Sequence, residues 1–234
     1  MSFKMSTGLV NALMGKQDSI IGTDLKITGA NTITSTAGAL LTAGFRPEDT
    51  LLLSGWPTAG NNTGIYTLGT VAAGTMAVSG TALNIEDGDA DSKIMNVGKS
   101  FKDVFKNALL RIYSGTIPTD ADADEGAGTL LLEISVVGGV VTPGAAANGL
   151  NFDAIVDGVL SKSADVWSDV GIATGTAAWW RMYDNGVITG ASSTAKRCDG
   201  LVGTTSVPII LSSTSIVSGA TTTLDTANFT MPTS

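Results

Sequence analysis

Four carboxylates stand close together in this chain, Asp120, Asp122, Asp124 and Glu125, and three more alternate at Asp87, Asp89 and Asp91. Carboxylate oxygens in such numbers are what a hard cation such as Ca²⁺ takes as ligands. An EF-hand loop, however, ends on a bidentate Glu at its far position, and here Glu125 follows Asp124 directly. The competing reading is a solvated acidic turn after Pro118. Paired carboxylates also hydrolyse glycosides, but these cluster in turns, where little raises a pKa. Cys198 lies in Lys196-Arg197-Cys198-Asp199, a setting that can lower a thiol pKa. The chain has no His to serve as its base. The usual general base and the commonest transition-metal ligand are both missing. The reading therefore assigns no catalytic residue, metal or cofactor, and expects no enzyme.

Two further groups invite binding rather than catalysis. Trp179, Trp180 and Tyr183 can stack on a sugar or anchor an interface. Strand alternation sends Trp179, Arg181 and Tyr183 to one face and Trp180 with Met182 to the other. The first set is taken as outward-facing, and Trp, Tyr and Arg are enriched at interface hot spots. Lys99, Lys102 and Lys106 share a helix face opposite Phe101, Val104 and Phe105. They form either a solvated face or a docking surface for an acidic partner.

The elements that must hold these groups are mostly strands. Residues 7–15 read as a short helix stopped by Gly15. Residues 100–108 read as a second, with Ser100 as N-cap and Asp103 at N3. Between them, Asp24–Thr28, Asn31–Thr34, Thr50–Ser54, Gly64–Leu68 and Thr75–Ser79 read as strands separated by Gly and Asn turns. That spacing fits a small β-barrel or compact β-sandwich over residues 22–95. The run Glu86–Asp91 reads as an exposed linker closing this segment. Beyond residue 108, alternation at Leu130–Val136, Leu150–Ala154, Trp179–Tyr183, Val207–Leu211 and Thr222–Met231 suggests an antiparallel two-sheet sandwich, plausible as a jelly roll. Pro208 argues for an edge strand, and Asp184-Asn185-Gly186 for a tight hairpin. The expected fold class is mainly β. Residues 1–21 belong with a sandwich domain of 96–234, and 22–95 are inserted.

Composition narrows the partners. Of 234 residues, 43% are hydrophobic and 15% charged, which excludes a disordered chain. A net charge of −8 repels a phosphate backbone, so no nucleic-acid partner is expected. One Cys permits no intrachain disulfide. The N-terminus carries no signal-peptide pattern, and no apolar run is long enough to span a membrane. Folding in a reducing cytoplasm is expected.

Six segments carry a resemblance: Ser6–Gly15, Leu110–Gly115, Gly128–Ile134, Gly149–Phe152, Gly175–Asp184 and Thr214–Thr222. In this order they resemble a family of β-rich virion structural proteins of tailed bacteriophages, decoration- or cement-like. The middle of the chain, at Asp49–Gly55 and Asn61–Thr67, resembles small β-modules of phage virion and fibre proteins. The resemblance implies a virion protein assembled in the host bacterial cytoplasm. Its partners would be other virion proteins, the major capsid protein foremost, and further copies of itself. A positive mean hydropathy also suggests apolar surface covered in an oligomer. Placement at the neck, tail or fibre base, or a role as a carbohydrate-binding attachment module, are the alternatives.

Overall fold

A computed structural model describes residues 3–230 of the chain. The protein is mainly β with two short helices. In chain order the elements begin with β1 (Lys4–Met5) and α1 (Thr7–Leu13). Then come β2 (Ser19–Ile21), β3 (Leu25–Gly29), β4 (Thr32–Ser35), β5 (Thr50–Ser54), β6 (Ile65–Val71), β7 (Thr75–Ser79), β8 (Glu86–Asp87) and β9 (Lys93–Asn96). Helix α2 (Phe101–Val104) is followed by β10 (Leu109–Tyr113), β11 (Leu130–Val136), β12 (Val159–Ser161) and β13 (Trp167–Val170). Last are β14 (Gly175–Thr176), β15 (Trp179–Tyr183), β16 (Arg197–Gly203), β17 (Ile209–Leu211), β18 (Ser215–Ile216) and β19 (Thr221–Thr230). Among the described residues no helix is long and apolar enough to cross a membrane.

The chain forms two compact units. One comprises the residues up to Met14, Ser100–Val141, and the chain from Ala147 onward. Its pairing runs β16–β15–β10–β11–β13–β19–β17 and returns to β16, a closed barrel of seven strands. The sequence reading expects two facing sheets here, but the pairing draws a ring. The link that closes it is β16–β17, which is parallel, with Val202 opposite Ile209. Pro208 does not demote β17 to an edge, because it stands one residue before the strand. β17 pairs on both sides, with β16 and β19. The long β19 serves three partners in turn: β13 at Thr221–Thr223, β17 at Leu224–Ala227 and β12 at Asn228–Thr230. Met231, expected in this strand, lies outside the described residues.

The barrel interior takes one face of each strand. Leu110, Ile112, Leu132, Ile134, Trp180, Met182, Cys198, Ile209, Leu224 and Phe229 are all buried in it. Phe229 lies edge-on to Trp180, Phe152 and Phe3, with 5.6 Å between the Trp180 and Phe229 centroids. Both helices are too short to stand alone and are held by what they bury. Leu9 and Ala12 of α1 enter this core, as do Phe101 and Val104 of α2. Helix α2 is half the length its periodicity suggests. Its capping box is present, with Ser100 accepting from Asp103 N–H and Asp103 accepting from Ser100 N–H, but the helix ends at Val104 and Asn107 then turns to φ 54°.

The second unit is Gly15–Lys99 together with Thr142–Ala146, a wider span than the 22–95 read from the sequence. Its eight strands run β2–β9–β5–β6–β7–β4–β3–β8. Alternation along β3, β5, β6 and β7 sends Leu25, Ile27, Leu51, Leu53, Tyr66, Leu68, Met76 and Val78 into one core. The expected acidic linker supplies β8, which pairs β3. The segment Thr142–Ala146 docks through Gly144, whose carbonyl accepts from Val71 N–H at 2.7 Å. Gly144 has φ +85°, and a Cβ there would fall 1.6 Å from Val71 O. Gly144→Ala is therefore expected to unseat this segment. Amide exchange at Val71 should then rise on the order of tenfold, the loss of one net hydrogen bond. Unchanged protection at Val71 would contradict the close packing.

Candidate functional site

The outer faces of β10, β15 and β16 carry a row of charges set by strand register. Glu133 of β11 lies opposite Arg111 of β10, Arg111 opposite Arg181 of β15, Arg181 opposite Asp199 of β16, and Asp199 opposite Lys4 of β1. Residues two positions away along each strand share this face. That places Tyr113, Trp179 and Leu201 in the row on one side, and Leu109, Tyr183 and Arg197 in the row on the other.

The middle of this face is covered. The connections 114–129 and 184–196 lie over it, and Trp179, Arg181, Arg197 and Asp199 have no exposed surface. Arg181 donates Nε and Nη2 to the two oxygens of Asp199, each at 2.7 Å. Its Nη1 donates to Ala123 O at 2.9 Å and Glu125 Oε1 at 3.3 Å. Arg197 directs its guanidinium entirely at loop carbonyls: Ala121, Asp122, Ala123, Ile188 and Gly190. Glu125 accepts from Tyr183 Oη at 2.5 Å and from Gly190 N–H at 3.1 Å. Asp122 caps the start of α1, accepting from Thr7 N–H at 2.9 Å and from Thr7 Oγ1. Trp179 stacks on Tyr113 with centroids 4.3 Å apart, and its Nε1 donates to Ser114 O.

Electrostatics follow from this geometry. Burial opposes the charge on Arg181, but the Asp199 carboxylate outweighs it and raises the guanidinium pKa. Burial, with Tyr113 and Glu125 beside it, pushes the Tyr183 phenol up. Burial lifts Glu125 too, yet the Tyr183, Gly190 and Arg181 donors prevail and hold it below the ordinary carboxylate value of 4.5.

A depressed carboxylate contributes stability that is complete above its unfolded pKa and is lost as pH falls through the folded one. The protein should therefore lose stability below about pH 4.5. Glu125→Gln should flatten that slope and cost about 1–2 kcal/mol at neutral pH, by loss of charge-assisted bonds. Asp103 has the same sign, since burial raises it but Ser100 brings it below its ordinary value. Some slope will therefore remain. Urea midpoints from pH 3 to 7 measure both effects; parallel curves for the two proteins would contradict the role of Glu125.

Several sequence expectations are corrected. Trp179, Arg181 and Tyr183 do share a face, but it is not outward. At 0%, 0% and 1% exposure they offer no surface to a partner or a sugar. Alternation separated the two faces of β15 but could not foresee loops over the outer one. The Asp184–Gly186 turn forms, with Val187 N–H donating to Asp184 O, but the chain continues to Arg197 before pairing and so becomes part of the cover. Lys99 precedes α2 instead of lying on it, and its side chain is buried against Asp49 at 2.6 Å. Lys102 and Lys106 are half-buried, and Lys106 lies 3.8 Å from Asp103. Cys198 points into the core, away from Arg197 and Asp199, and burial raises its thiol pKa.

The acidic turn is a pinned loop. Asp120 accepts from Asp122 and Ala123 N–H, and Asp124 from Gly126 N–H. Among the described residues no three metal-ligating side chains converge. Sequence reasoning missed Asn61, which is fully buried and donates to Asn84 O and Glu86; an Asn in a Gly-rich turn looks like any other. The chemistry available to the charged face is adhesion of two loops to a barrel, for its acids and guanidinia already meet protein partners. No protein family, curated protein or solved structure matches the chain.

Proposed function

We propose that this chain is a non-enzymatic virion structural protein of a tailed bacteriophage that decorates or cements the capsid. The observation that carries the reading is where the resembling segments fall. Leu110–Gly115 and Gly128–Ile134 contain most of β10 and β11, and Gly175–Asp184 contains β15; the three are neighbours in one barrel. Ser6–Gly15 contains α1, which packs into the same core, and Thr214–Thr222 contains β18 and the start of β19. A pattern scattered along the sequence thus supplies one contiguous body. Its densest charged cluster is committed to holding loops, which suits a scaffold better than a catalyst.

Apolar surface remains for partners. Val137 and Val140 are 70% and 81% exposed, and Val166 is linked to Val137 through its carbonyl. In this reading capsid protein or further copies cover them. Quantitative mass spectrometry of purified particles tests the proposal. Copy numbers comparable with the capsid lattice support decoration. A handful of copies per particle moves the protein to neck, tail or fibre base. Absence from particles overturns a virion role.

A further inference from the structure

Lys99 ends the second unit, Asp49 immediately precedes β5, and Asp18 immediately precedes β2. Lys99 Nζ lies 2.6 Å from Asp49 Oδ2 and 4.0 Å from Asp18 Oδ2. The side chains are only 8%, 4% and 15% exposed. By contrast, Lys26–Asp87 at 3.1 Å is 37% and 75% exposed, so water competes there. Asp18 is fixed from two sides. Asn96 Nδ2 donates to it at 2.8 Å, and Gly44 approaches so closely that a Cβ would fall 2.5 Å from its Cγ. Arg46 N–H donates to Asp49 Oδ2 at 2.9 Å.

An amine, a carboxyl and a second carboxylate held together away from water are the parts of an amide-forming site. We propose that Lys99 and Asp49 condense into an intramolecular amide cross-link, with Asp18 as the proton carrier. A proton first passes along the Lys99–Asp49 hydrogen bond to Oδ2, giving amine and acid. The nitrogen then attacks Asp49 Cγ, forming the N–C bond. Arg46 N–H donates to that same Oδ2, now the hydroxyl that will leave, and so holds the carboxyl in place for attack. Asp18 takes the remaining surplus proton from nitrogen and returns it to the leaving hydroxyl. The C–O bond breaks, one water departs, and no oxidant or further reactant enters. Fixed proximity replaces the activation that a free carboxylate would need. The product joins the end of the second unit to the root of β5.

The test is the intact mass of the purified full chain under denaturing conditions, followed by peptide mapping. The expected mass is the sequence mass less one water, with a branched peptide joining the segments that contain Lys99 and Asp49. Lys99→Arg and Asp49→Ala should each restore the full sequence mass. Asp18→Asn should slow the loss of water at least tenfold after synthesis. A full sequence mass for the wild-type chain after prolonged incubation overturns the proposal. So does loss of water that persists in Lys99→Arg, or that maps to a single unbranched peptide. The wild-type reading requires no variant to fold.

Discussion

Arg181→Ala is expected to destabilise the barrel unit by about 3–5 kcal/mol, because it strands a buried carboxylate. Asp199 has no exposed surface, and both its oxygens receive Arg181. Without the guanidinium the carboxylate must stay charged in a poor solvent or bind a proton, and each option costs free energy. Breaking a buried pair differs from dispensing with it. Arg181→Met with Asp199→Leu should recover most of the loss, since neither charge is then left alone. The loop 114–129 should still loosen in the double variant, because Ala123 O and Glu125 also lose their donor. Urea unfolding followed by tryptophan fluorescence measures the first effect, and limited proteolysis of the loop the second. A cost under about 1 kcal/mol for Arg181→Ala would sink the assignment of this pair as a fully desolvated one.

Trp179→Ala and Trp180→Ala should each cost about 3–5 kcal/mol, the usual range for emptying a large buried aromatic site. Both rings are fully buried, though on opposite faces of β15. Trp180 fills the barrel, donates Nε1 to Leu201 O at 3.0 Å, and presses on Gly200, where a Cβ would lie 2.6 Å from the ring. Trp179 fills the space between the barrel wall and its loops, stacked on Tyr113. The sequence alone suggests otherwise, with Trp179 turned outward as an interface anchor. Equal losses for the two variants favour the covered face. A stable Trp179→Ala protein would instead place Trp179 at an open surface.

What the sequence disclosed was local. β5 and β7 appear within the bounds that alternation and turn residues set, and Ser100 with Asp103 announced the start of α2. The division of β15 into a Trp180–Met182 face and a Trp179–Arg181–Tyr183 face was also visible, because a period of two is a property of the strand itself. What lay outside reach depends on partners distant in the chain. Closure through β16 and β17 follows from a parallel register that no alternation encodes. The loops are held by carbonyls of Ala121, Asp122, Ala123, Ile188 and Gly190, groups that every residue possesses. Arg197 reads as an ordinary surface cation until those carbonyls surround it. Lys99 reads as a helix-face cation for the same reason, since its partners Asp49 and Asp18 are 50 and 81 positions away.

The pairing of β1 with β16 has a consequence for how the protein is made. Lys4 lies opposite Asp199, and Ser6 Oγ accepts from Leu9 N–H and Arg197 N–H. Residues 4–6 thus wait for residues 197–199 to be made. At ordinary elongation rates the delay is roughly 10–40 s. During it, Leu9 and Ala12 have no core to enter. β2 to β9 all lie within residues 19–96, so that unit can gather its sheet while the chain is still growing and lacks only the later segment at Gly144. Nascent protein should therefore become protease-resistant in two stages, the inserted portion first and the barrel only once β16 to β19 have been made.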